Sequence, residues 1–106
     1  MEAKVWSTKG WVNHSDADYL KSMFNSFLKA ANFDVISFND HRFEGYGYTA
    51  IWLLAESHFA IHTFPEQNKS YIDMTSCNEF KQNIFNKLLF SHFQLQNEEE
   101  KIGGGE

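Results

Sequence analysis

The chain has 106 residues with a formal net charge of −5, and 42% of its residues are hydrophobic. This composition is too apolar for a disordered chain, and an acidic balance without a basic cluster argues against nucleic acid as a partner. The one cysteine excludes an intrachain disulfide, and no apolar run is long enough to span a membrane. We therefore expect one small soluble domain in the cytoplasm, which gains stability by pairing with a second copy.

The chain opens with a predicted strand and a predicted helix. Residues 3–8 form the short first strand, which Gly10 ends. A helix follows over residues 16–31, with Ser15 or Asp16 as its N-cap, because one apolar stripe recurs at helical spacing. The stripe predicts core packing and consists of Leu20, Met23, Phe24, Phe27, Leu28 and Ala31.

Residues 33–43 are rich in β-forming residues and predict a second strand. Asn39-Asp40 is the expected site of a bulge or turn within it. Gly45 and Gly47 follow, and glycines in this position indicate a close approach of the backbone to another group.

The stretch from Thr49 to Phe64 contains neither glycine nor proline. As one strand it would extend about 53 Å, which is too long for a domain with a radius of gyration of about 13 Å. Its polar interruption is Glu56-Ser57-His58, so we expect a tight connection there between strands over residues 47–55 and 58–64. A turn without the preferred Asn-Gly is a candidate for strain.

The remaining chain predicts one strand over residues 71–76 and one helix over residues 79–89. Asn78 is the expected N-cap of this helix. Residues 91–97 alternate loosely and predict a last strand. Residues 98–106 form a polar, glycine-rich tail that we expect to be disordered.

These elements predict an α+β fold for residues 1–97, a single domain. It is a two-layer sandwich with a mainly antiparallel sheet and two helices on one face. The opposite face of the sheet needs a cover, and the many aromatic residues favour a second protomer. The expected assembly is a homodimer of αββα arrangement.

The polar interruption allows several chemical interpretations. A serine in a turn is most often only a turn residue, and a single cysteine is most often packed. His58 and His62 are four residues apart, which on a strand separates them by about 13 Å, too far to share one metal ion. A hydrolase built from Cys77 and His62 lacks a third group to orient the histidine. We therefore expect no metal, and we disfavour the hydrolase.

Five segments carry a more specific combination. They are His41-Arg42-Phe43, Gly47-Tyr48-Thr49, Ala55-Glu56-Ser57-His58, Ile61-His62-Thr63-Phe64-Pro65-Glu66 and Ile72-Asp73-Met74-Thr75-Ser76-Cys77. Together they closely resemble the short prokaryotic S-adenosylmethionine decarboxylases, strongly over residues 41–78 and loosely in the flanking elements. A Glu-Ser-His sequence followed by a histidine five residues and a cysteine twenty residues after the serine is unlike a chance arrangement.

The resemblance implies that the chain processes itself. The hydroxyl of Ser57 attacks the carbonyl of Glu56, and the resulting ester eliminates and hydrolyses to a pyruvoyl group. The products are a β-chain, residues 1–56, and an α-chain, residues 57–106, that begins with this covalent cofactor. His62 acts as the base of the elimination, and Thr49 assists by hydrogen bonding where the family typically has serine.

The resemblance also implies the decarboxylation of S-adenosylmethionine to the aminopropyl donor of spermidine and polyamine synthesis. The substrate amine reacts with the pyruvoyl carbonyl, which accepts the electrons released as CO₂ leaves. Cys77 donates the proton to the α-carbon, and Glu66 binds the ribose hydroxyls. Phe43 and Phe64 sandwich the adenine and face the sulfonium. The active sites of the family lie at the dimer interface.

Two alternatives remain open. The first is a different substrate, because Asn78 stands where the family commonly has glycine and some members of the family resemble decarboxylases of arginine or ornithine. Glu66 and the two aromatic residues favour the nucleoside substrate, because a short amino acid has no ribose or adenine for them to bind. The other alternative is a non-processing homologue that acts as a binding or structural partner.

Overall fold

The computed structural model describes residues 3–45 and 47–97. The elements in chain order are β1 (Trp6–Val12), α1 (Ala17–Ala30), β2 (Val35–Arg42), β3 (Tyr48–Leu54), β4 (Ser57–Phe64), a 3-10 turn (Pro65–Gln67), β5 (Lys69–Ser76), α2 (Glu79–His92) and β6 (Gln96–Asn97). The strands form one sheet in the order β2-β3-β4-β5-β1-β6, and every neighbouring pair is antiparallel. The predicted α+β fold class is confirmed. The predicted tail, residues 98–106, lies outside the described residues.

Both helices lie on one face of the sheet, since their aromatic side chains meet the same strand. The ring centroid of Phe59 on β4 lies 4.7 Å from that of Phe24 on α1 and 5.2 Å from that of Phe85 on α2. Trp52 of β3 adds a contact of 5.3 Å to Phe59. All four rings are buried. Aromatic contacts of this kind stabilise the core beyond the burial of their area.

The opposite side of the sheet, here called the open face, is turned away from the helices. Alternate side chains of each strand point to it. Ile51 and Leu53 are 44% and 50% exposed there, and apolar exposure on a central strand is typical of a surface that another chain covers. The homodimer stays a prediction. The open face includes Thr49, Ile51, Leu53, His58, Ala60, His62, Phe64, Tyr71, Asp73 and Thr75.

Helix α1 follows the predicted apolar stripe. A side-chain oxygen of Asp16 accepts a hydrogen bond from the backbone N–H of Tyr19 at 3.0 Å, which caps the first turn. The chain leaves the helix at Asn32, whose φ of 68° is a left-handed conformation that asparagine adopts more readily than most residues. The buried residues of the stripe are Leu20, Phe24, Phe27, Leu28 and Ala31.

Strand β1 is longer than predicted, because Gly10 does not end it. Gly10 pairs with Ile72 on one side and with Asn97 on the other. A Cβ at this position would lie 2.3 Å from the carbonyl oxygen of Gln96. The absence of a side chain at Gly10 therefore allows β6 to lie close to β1. The prediction that Gly10 ends the strand is wrong.

Two other predictions were wrong in their details. Residues 91–97 were expected to form a strand, but α2 continues to His92 and only Gln96–Asn97 pairs with β1. The helix continues because buried Phe93 stacks against Phe24 at 5.5 Å and so holds the end of α2 on the core. The expected bulge at Asn39-Asp40 lies instead between Val35 and Ser37.

The predicted reversal of the chain between β3 and β4 is confirmed. Leu54 pairs with Ser57, so only Ala55 and Glu56 connect the two strands. The observed strands begin and end within one residue of the predicted bounds. Physical length was sufficient to require this turn, because a domain of this size cannot hold the stretch as one strand.

The predicted close backbone approach is confirmed at Gly47. A Cβ there would lie 2.0 Å from the carbonyl oxygen of Thr63. The backbone N–H of Tyr48 donates to the hydroxyl of Thr63 at 2.9 Å, and the backbone N–H of Phe43 donates to the carbonyl of Gly47 at 2.9 Å. Gly47 thus fixes the entry of the chain into β3.

We expect Gly47→Ala to lower the free energy of unfolding by about 1–3 kcal/mol, because the added methyl group overlaps backbone. Gly45→Ala is the matched comparison. Gly45 has a φ of 73°, but apart from its chain neighbours no atom of the described residues lies within 4 Å of its Cβ position, so its loss is limited to conformational strain of about 1 kcal/mol. Urea denaturation of both variants measures the difference, and equal losses would contradict the close approach.

A polar network joins the edge strand β2 to the rest of the fold. The hydroxyl of Tyr48 donates to Asp40 Oδ2 at 2.6 Å, and Lys21 Nζ on α1 lies 3.6 Å from the same oxygen. The hydrogen bond from Tyr48 and the charge of Lys21 lower the pKa of Asp40 below its usual 3.8. Burial and the Asp40 carboxylate raise the pKa of Tyr48 above its usual 10.0.

Two pH limits of stability follow from this network. The lowered pKa of Asp40 contributes stability above pH 3.8 that is lost as the pH falls further. The raised pKa of Tyr48 contributes stability below pH 10.0 that is lost as the pH rises through the folded-state value. We expect Tyr48→Phe to weaken both pH dependences, measured by thermal unfolding from pH 2 to pH 11. Tyr19→Phe, at an exposed tyrosine on α1, is the control and should preserve them.

Candidate active site

The turn between β3 and β4 holds its second residue in an unusual conformation. Glu56 has a φ of 59°, a region that L-residues other than asparagine and aspartate rarely adopt. The backbone N–H of Ala55 donates to the carbonyl oxygen of Asp34 at 3.1 Å, which ties the turn to the chain before β2. The predicted strain therefore lies at the residue that precedes Ser57.

Ser57 opens a small cavity of about 200 Å³ at this end of the sheet, here called the Ser57 pocket. Ser57 is the first residue of β4 and pairs with Ser76, the last residue of β5. This register brings Cys77, the residue after β5, to the same pocket. The residues that line the pocket are Phe33, Asp34, Ala55, Glu56, Ser57, Cys77, Asn78 and Lys81.

Cys77 is an exposed free thiol between β5 and α2. The buried hydroxyl of Ser76 accepts a hydrogen bond from the backbone N–H of Asn78 at 2.9 Å. The side chain of Asn78 accepts from the backbone N–H of Lys81 at 2.9 Å and so forms the predicted N-cap of α2. The backbone on both sides of the thiol is therefore fixed.

The other candidate residues line a second cavity of about 270 Å³, here called the His62 pocket. Thr49 and His62 are cross-strand partners, and the Thr49 hydroxyl lies 3.2 Å from His62 Nδ1. The direction of this hydrogen bond depends on the tautomer of the imidazole. The residues that line the pocket are Phe43, Gly47, Tyr48, Thr49, His62, Thr63, Phe64 and Glu66.

Phe64, a lining residue of the His62 pocket, is supported by an aromatic cluster that the sequence did not indicate. The ring of Trp11 on β1 lies 5.6 Å from that of Phe64 and 5.2 Å from that of Tyr71. Lys69 Nζ lies 4.5 Å from the Trp11 ring centroid. Trp11 and Tyr71 pair across β1 and β5, so period-2 alternation of the two strands is the signal that relates them.

The candidate residues thus fall into two pockets of one chain. Ser57 and His62 are five residues apart on β4, which is about 16 Å along a strand. An odd separation also directs their side chains to opposite faces. The single chain brings Glu56, Ser57 and Cys77 together, and it brings Phe43, Thr49, His62, Phe64 and Glu66 together, but it does not join the two sets.

A groove of about 350 Å³ between α1 and β2 is larger than either pocket. Its charged side chains already have partners, since Lys21 pairs with Asp40 and Asp18 pairs with Arg42. Among the described residues its lining includes the hydroxyl of Ser22 but no imidazole and no thiol. We therefore regard it as a junction between helix and edge strand.

No group of three or more His, Cys, Asp or Glu side chains within residues 3–45 and 47–97 has the arrangement of a metal site. His58 and His62 lie on the same strand, and Asp73 Oδ2 is 3.8 Å from His58 Nε2. In the part of the chain that the structure describes, no helix has both the length and the apolar character to cross a membrane.

Comparison with known sequences points to one family. A family model described as S-adenosylmethionine decarboxylase matches residues 13–101. S-adenosylmethionine decarboxylase proenzymes of Thermodesulfovibrio yellowstonii and Prochlorococcus marinus are 36% and 35% identical to this chain. The matched segments cover 60% and 61% of this chain but 47% and 52% of those proteins. The chain therefore spans about half the length of the curated relatives it matches.

Comparison with solved structures gives the same fold. The adenosylmethionine decarboxylase from Aquifex aeolicus superposes with a TM-score of 0.73 at 22% sequence identity, covering 92% of this chain and 86% of that chain. The differences between the predicted and observed bounds of β1 and α2 do not alter this architecture. Since the family model matches most of the sequence, the chain belongs to the S-adenosylmethionine decarboxylase family.

Proposed function

We propose that this protein is a self-processing, pyruvoyl-dependent decarboxylase of S-adenosylmethionine. The observation that carries the proposal is the strained Glu56, with its φ of 59°, directly before Ser57 in a pocket that also holds Cys77. Strain at the carbonyl that a neighbouring hydroxyl attacks raises the energy of the uncut chain. Family membership supplies the reaction class.

Processing would begin with attack of the Ser57 hydroxyl on the Glu56 carbonyl, which exchanges the amide for an ester. Elimination and hydrolysis of this ester leave a pyruvoyl group at residue 57 and a free carboxyl group on Glu56. The residues present fit this group, because Ser57 is half-buried at the mouth of a small polar pocket. When formed, a pyruvoyl carbonyl accepts the electron pair released as CO₂ leaves a bound amino acid.

The separation of the two pockets is the reason to propose a composite site. Two sheets stack about 10 Å apart when their open faces meet. A two-fold axis that runs across the strands would set the Ser57 end of one chain over the His62 end of its partner. The partner's His62 would then approach the main chain of residue 57 from the open face, although the Ser57 side chain points to the other face. Each site would then combine Ser57 and Cys77 of one protomer with the partner's Thr49, His62 and Glu66. The exposed Ile51 and Leu53 would be buried in this homodimer.

In this arrangement the partner's His62 would act as the base of processing. The Thr49 hydroxyl at 3.2 Å from Nδ1 orients the imidazole and leaves Nε2 for proton transfer. Cys77 would donate a proton to the α-carbon after CO₂ has left. A thiol at the surface of the pocket, between two fixed backbone segments, suits that role.

The substrate preference follows from the His62 pocket. Phe43 and Phe64 are 47% and 36% exposed, so their ring faces are open to a planar base and to a sulfonium cation. Glu66 lines the same pocket and offers a carboxylate to ribose hydroxyls. Arginine and ornithine have no planar base, sulfonium or ribose for these side chains to bind. The product would be the aminopropyl donor for polyamine synthesis. The free thiol of Cys77 fits a protein of the reducing cytoplasm.

We expect mixed dimers to restore processing that each variant lacks. Ser57→Ala and His62→Ala should each remain a single chain of 12.4 kDa. When the two are refolded together, one of the two composite sites contains intact Ser57 and intact His62. The His62→Ala chain alone should then split after residue 56, as measured by intact mass. Cleavage of neither chain in the mixture would contradict a site shared between protomers.

We expect CO₂ release from S-adenosylmethionine and none from arginine or ornithine. Glu66→Gln should raise the KM for S-adenosylmethionine by about 10-fold or more, because a hydrogen bond to a charged group contributes roughly 1.5–3 kcal/mol. Processing of this variant should be unchanged, which intact mass checks. Glu79→Gln, at an exposed carboxylate on α2, is the control. Release of CO₂ from arginine or ornithine instead would assign the site to a basic amino acid.

A further inference from the structure

Lys81 is the cationic side chain among the described residues that line the Ser57 pocket. It lies in the first turn of α2, four residues after Cys77, and it is half-buried. Its Nζ lies 5.7 Å from the centroid of the Phe33 ring, which is itself a wall of the pocket. The ammonium group is therefore held at the pocket by its stem and by the aromatic ring beneath it.

Among the described residues, the ammonium group of Lys81 has no ion-pair partner within 4.0 Å. Within residues 3–45 and 47–97, the ion pairs closer than 4.0 Å join Lys21 to Asp40, Arg42 to Asp18 and His58 to Asp73. The pocket nevertheless contains two carboxylates, those of Asp34 and Glu56. One ammonium group and two carboxylates therefore line the same pocket, and no ion pair within 4.0 Å joins them among the described residues.

Self-processing would create a third negative charge in this pocket. After Ser57 Oγ has replaced the amide nitrogen at the Glu56 carbonyl, a base removes the Cα proton of residue 57. The Cα=Cβ bond forms, the Cβ–Oγ bond breaks, and the electron pair leaves with the Glu56 carboxylate. Water then hydrolyses the resulting enamine, releasing ammonia and leaving the pyruvoyl group.

We propose that Lys81 is a catalytic residue of this elimination, whose ammonium group stabilises the main-chain carboxylate of Glu56 as it leaves. The inference rests on the proposed self-processing. The leaving carboxylate would form in the pocket that the side chains of Asp34 and Glu56 line. Their negative charges disfavour the formation of another negative charge there. A cation that already lines the pocket offsets this repulsion without reorganisation, which is the condition for strong electrostatic catalysis.

The N-terminus of α2 acts in the same direction. Asn78 caps the helix and lines the pocket, so the partial positive charge of the first turn lies at the pocket in which the leaving group would form. Lys81 adds a full charge at that end. Both charges stabilise the transition state in which the ester eliminates. Loss of Lys81 should therefore slow this step and cause the ester to accumulate.

The test compares Lys81→Met with Lys81→Arg in the full chain, refolded from urea and sampled over time. Methionine keeps the apolar stem over Phe33 but removes the charge, and arginine keeps the charge. Lys87→Met is the matched control, because Lys87 lies on the same helix in a separate groove. Each sample is divided, and one half is treated with hydroxylamine, which cleaves esters but not amides. Intact mass then separates uncut chain, mature chains and the hydroxamate of residues 1–56.

We expect Lys81→Met to mature about 10- to 100-fold more slowly, the range for removal of one preorganised electrostatic partner. The slow variant should yield more hydroxylamine-cleaved chain than the wild type, whereas Lys81→Arg and Lys87→Met should mature close to the wild-type rate. Maturation of Lys81→Met at the wild-type rate would overturn the inference. Slow maturation without hydroxylamine-sensitive chain would also overturn it, because the defect would precede the ester.

A wild-type chain that stays uncut at 12.4 kDa would overturn the proposed function together with this inference. If the wild-type and Lys81→Met chains both mature and do so equally fast, the proposed role of Lys81 is overturned and the proposed function is not. Circular dichroism of each refolded variant identifies a folding defect. If Lys81→Met were unfolded, Lys81→Gln would provide the neutral side chain for the same time course.

Discussion

Two residues connect β3 to β4, and neither of them is glycine or asparagine. The turn therefore forces Glu56 to a φ of 59°, which costs an ordinary L-residue about 1–2 kcal/mol. The cost is sustained because the Leu54–Ser57 pair and the hydrogen bond from Ala55 to Asp34 fix both ends of the turn. Breaking the Glu56–Ser57 bond would release this strain, so the same constraint that closes the hairpin favours the cut chain.

The register of the central strands carries this constraint to the rest of the pocket. Ser57 pairs with Ser76, so the end of β5 lies beside the turn and Cys77 follows directly. Asn78 then begins α2, whose first turn brings Lys81 to the same cavity. A shift of one residue between β4 and β5 would turn the buried side of β4 outward. Core packing of Phe59 against both helices therefore also sets the geometry of the proposed chemistry.

Local patterns predicted those elements whose causes are local. The apolar stripe of α1 and the excessive length of the stretch from Thr49 to Phe64 were sufficient for the helix and the hairpin. The role of Gly10 depends on β6, a segment more than 80 residues away, and no local pattern shows that approach. The end of α2 depends likewise on Phe93 packing against α1. Such long-range contacts are the reason that strand β1 and residues 91–97 were predicted wrongly.

The candidate site shows the same division. Its residues were recognised from the resemblance to a known family, but their arrangement in two pockets requires strand assignment and alternation. Lys81 was missed because a lysine on an amphipathic helix is normally a solvated residue. Its position in the first turn of the helix that follows Cys77 was the available signal. The proposed chemistry at Ser57 thus depends on Lys81, a neighbour that only the fold brings near.

Two departures from the family pattern support retained chemistry rather than loss of it. Asn78 replaces a common glycine, but its φ of −120° is accessible to every L-residue, and its side chain caps α2. Nothing in this backbone requires glycine, and the cap is retained or improved. Thr49 replaces a serine, yet its hydroxyl still lies 3.2 Å from His62 Nδ1. Each substitution keeps a hydrogen-bonding group beside the thiol or the imidazole, as the proposed function requires.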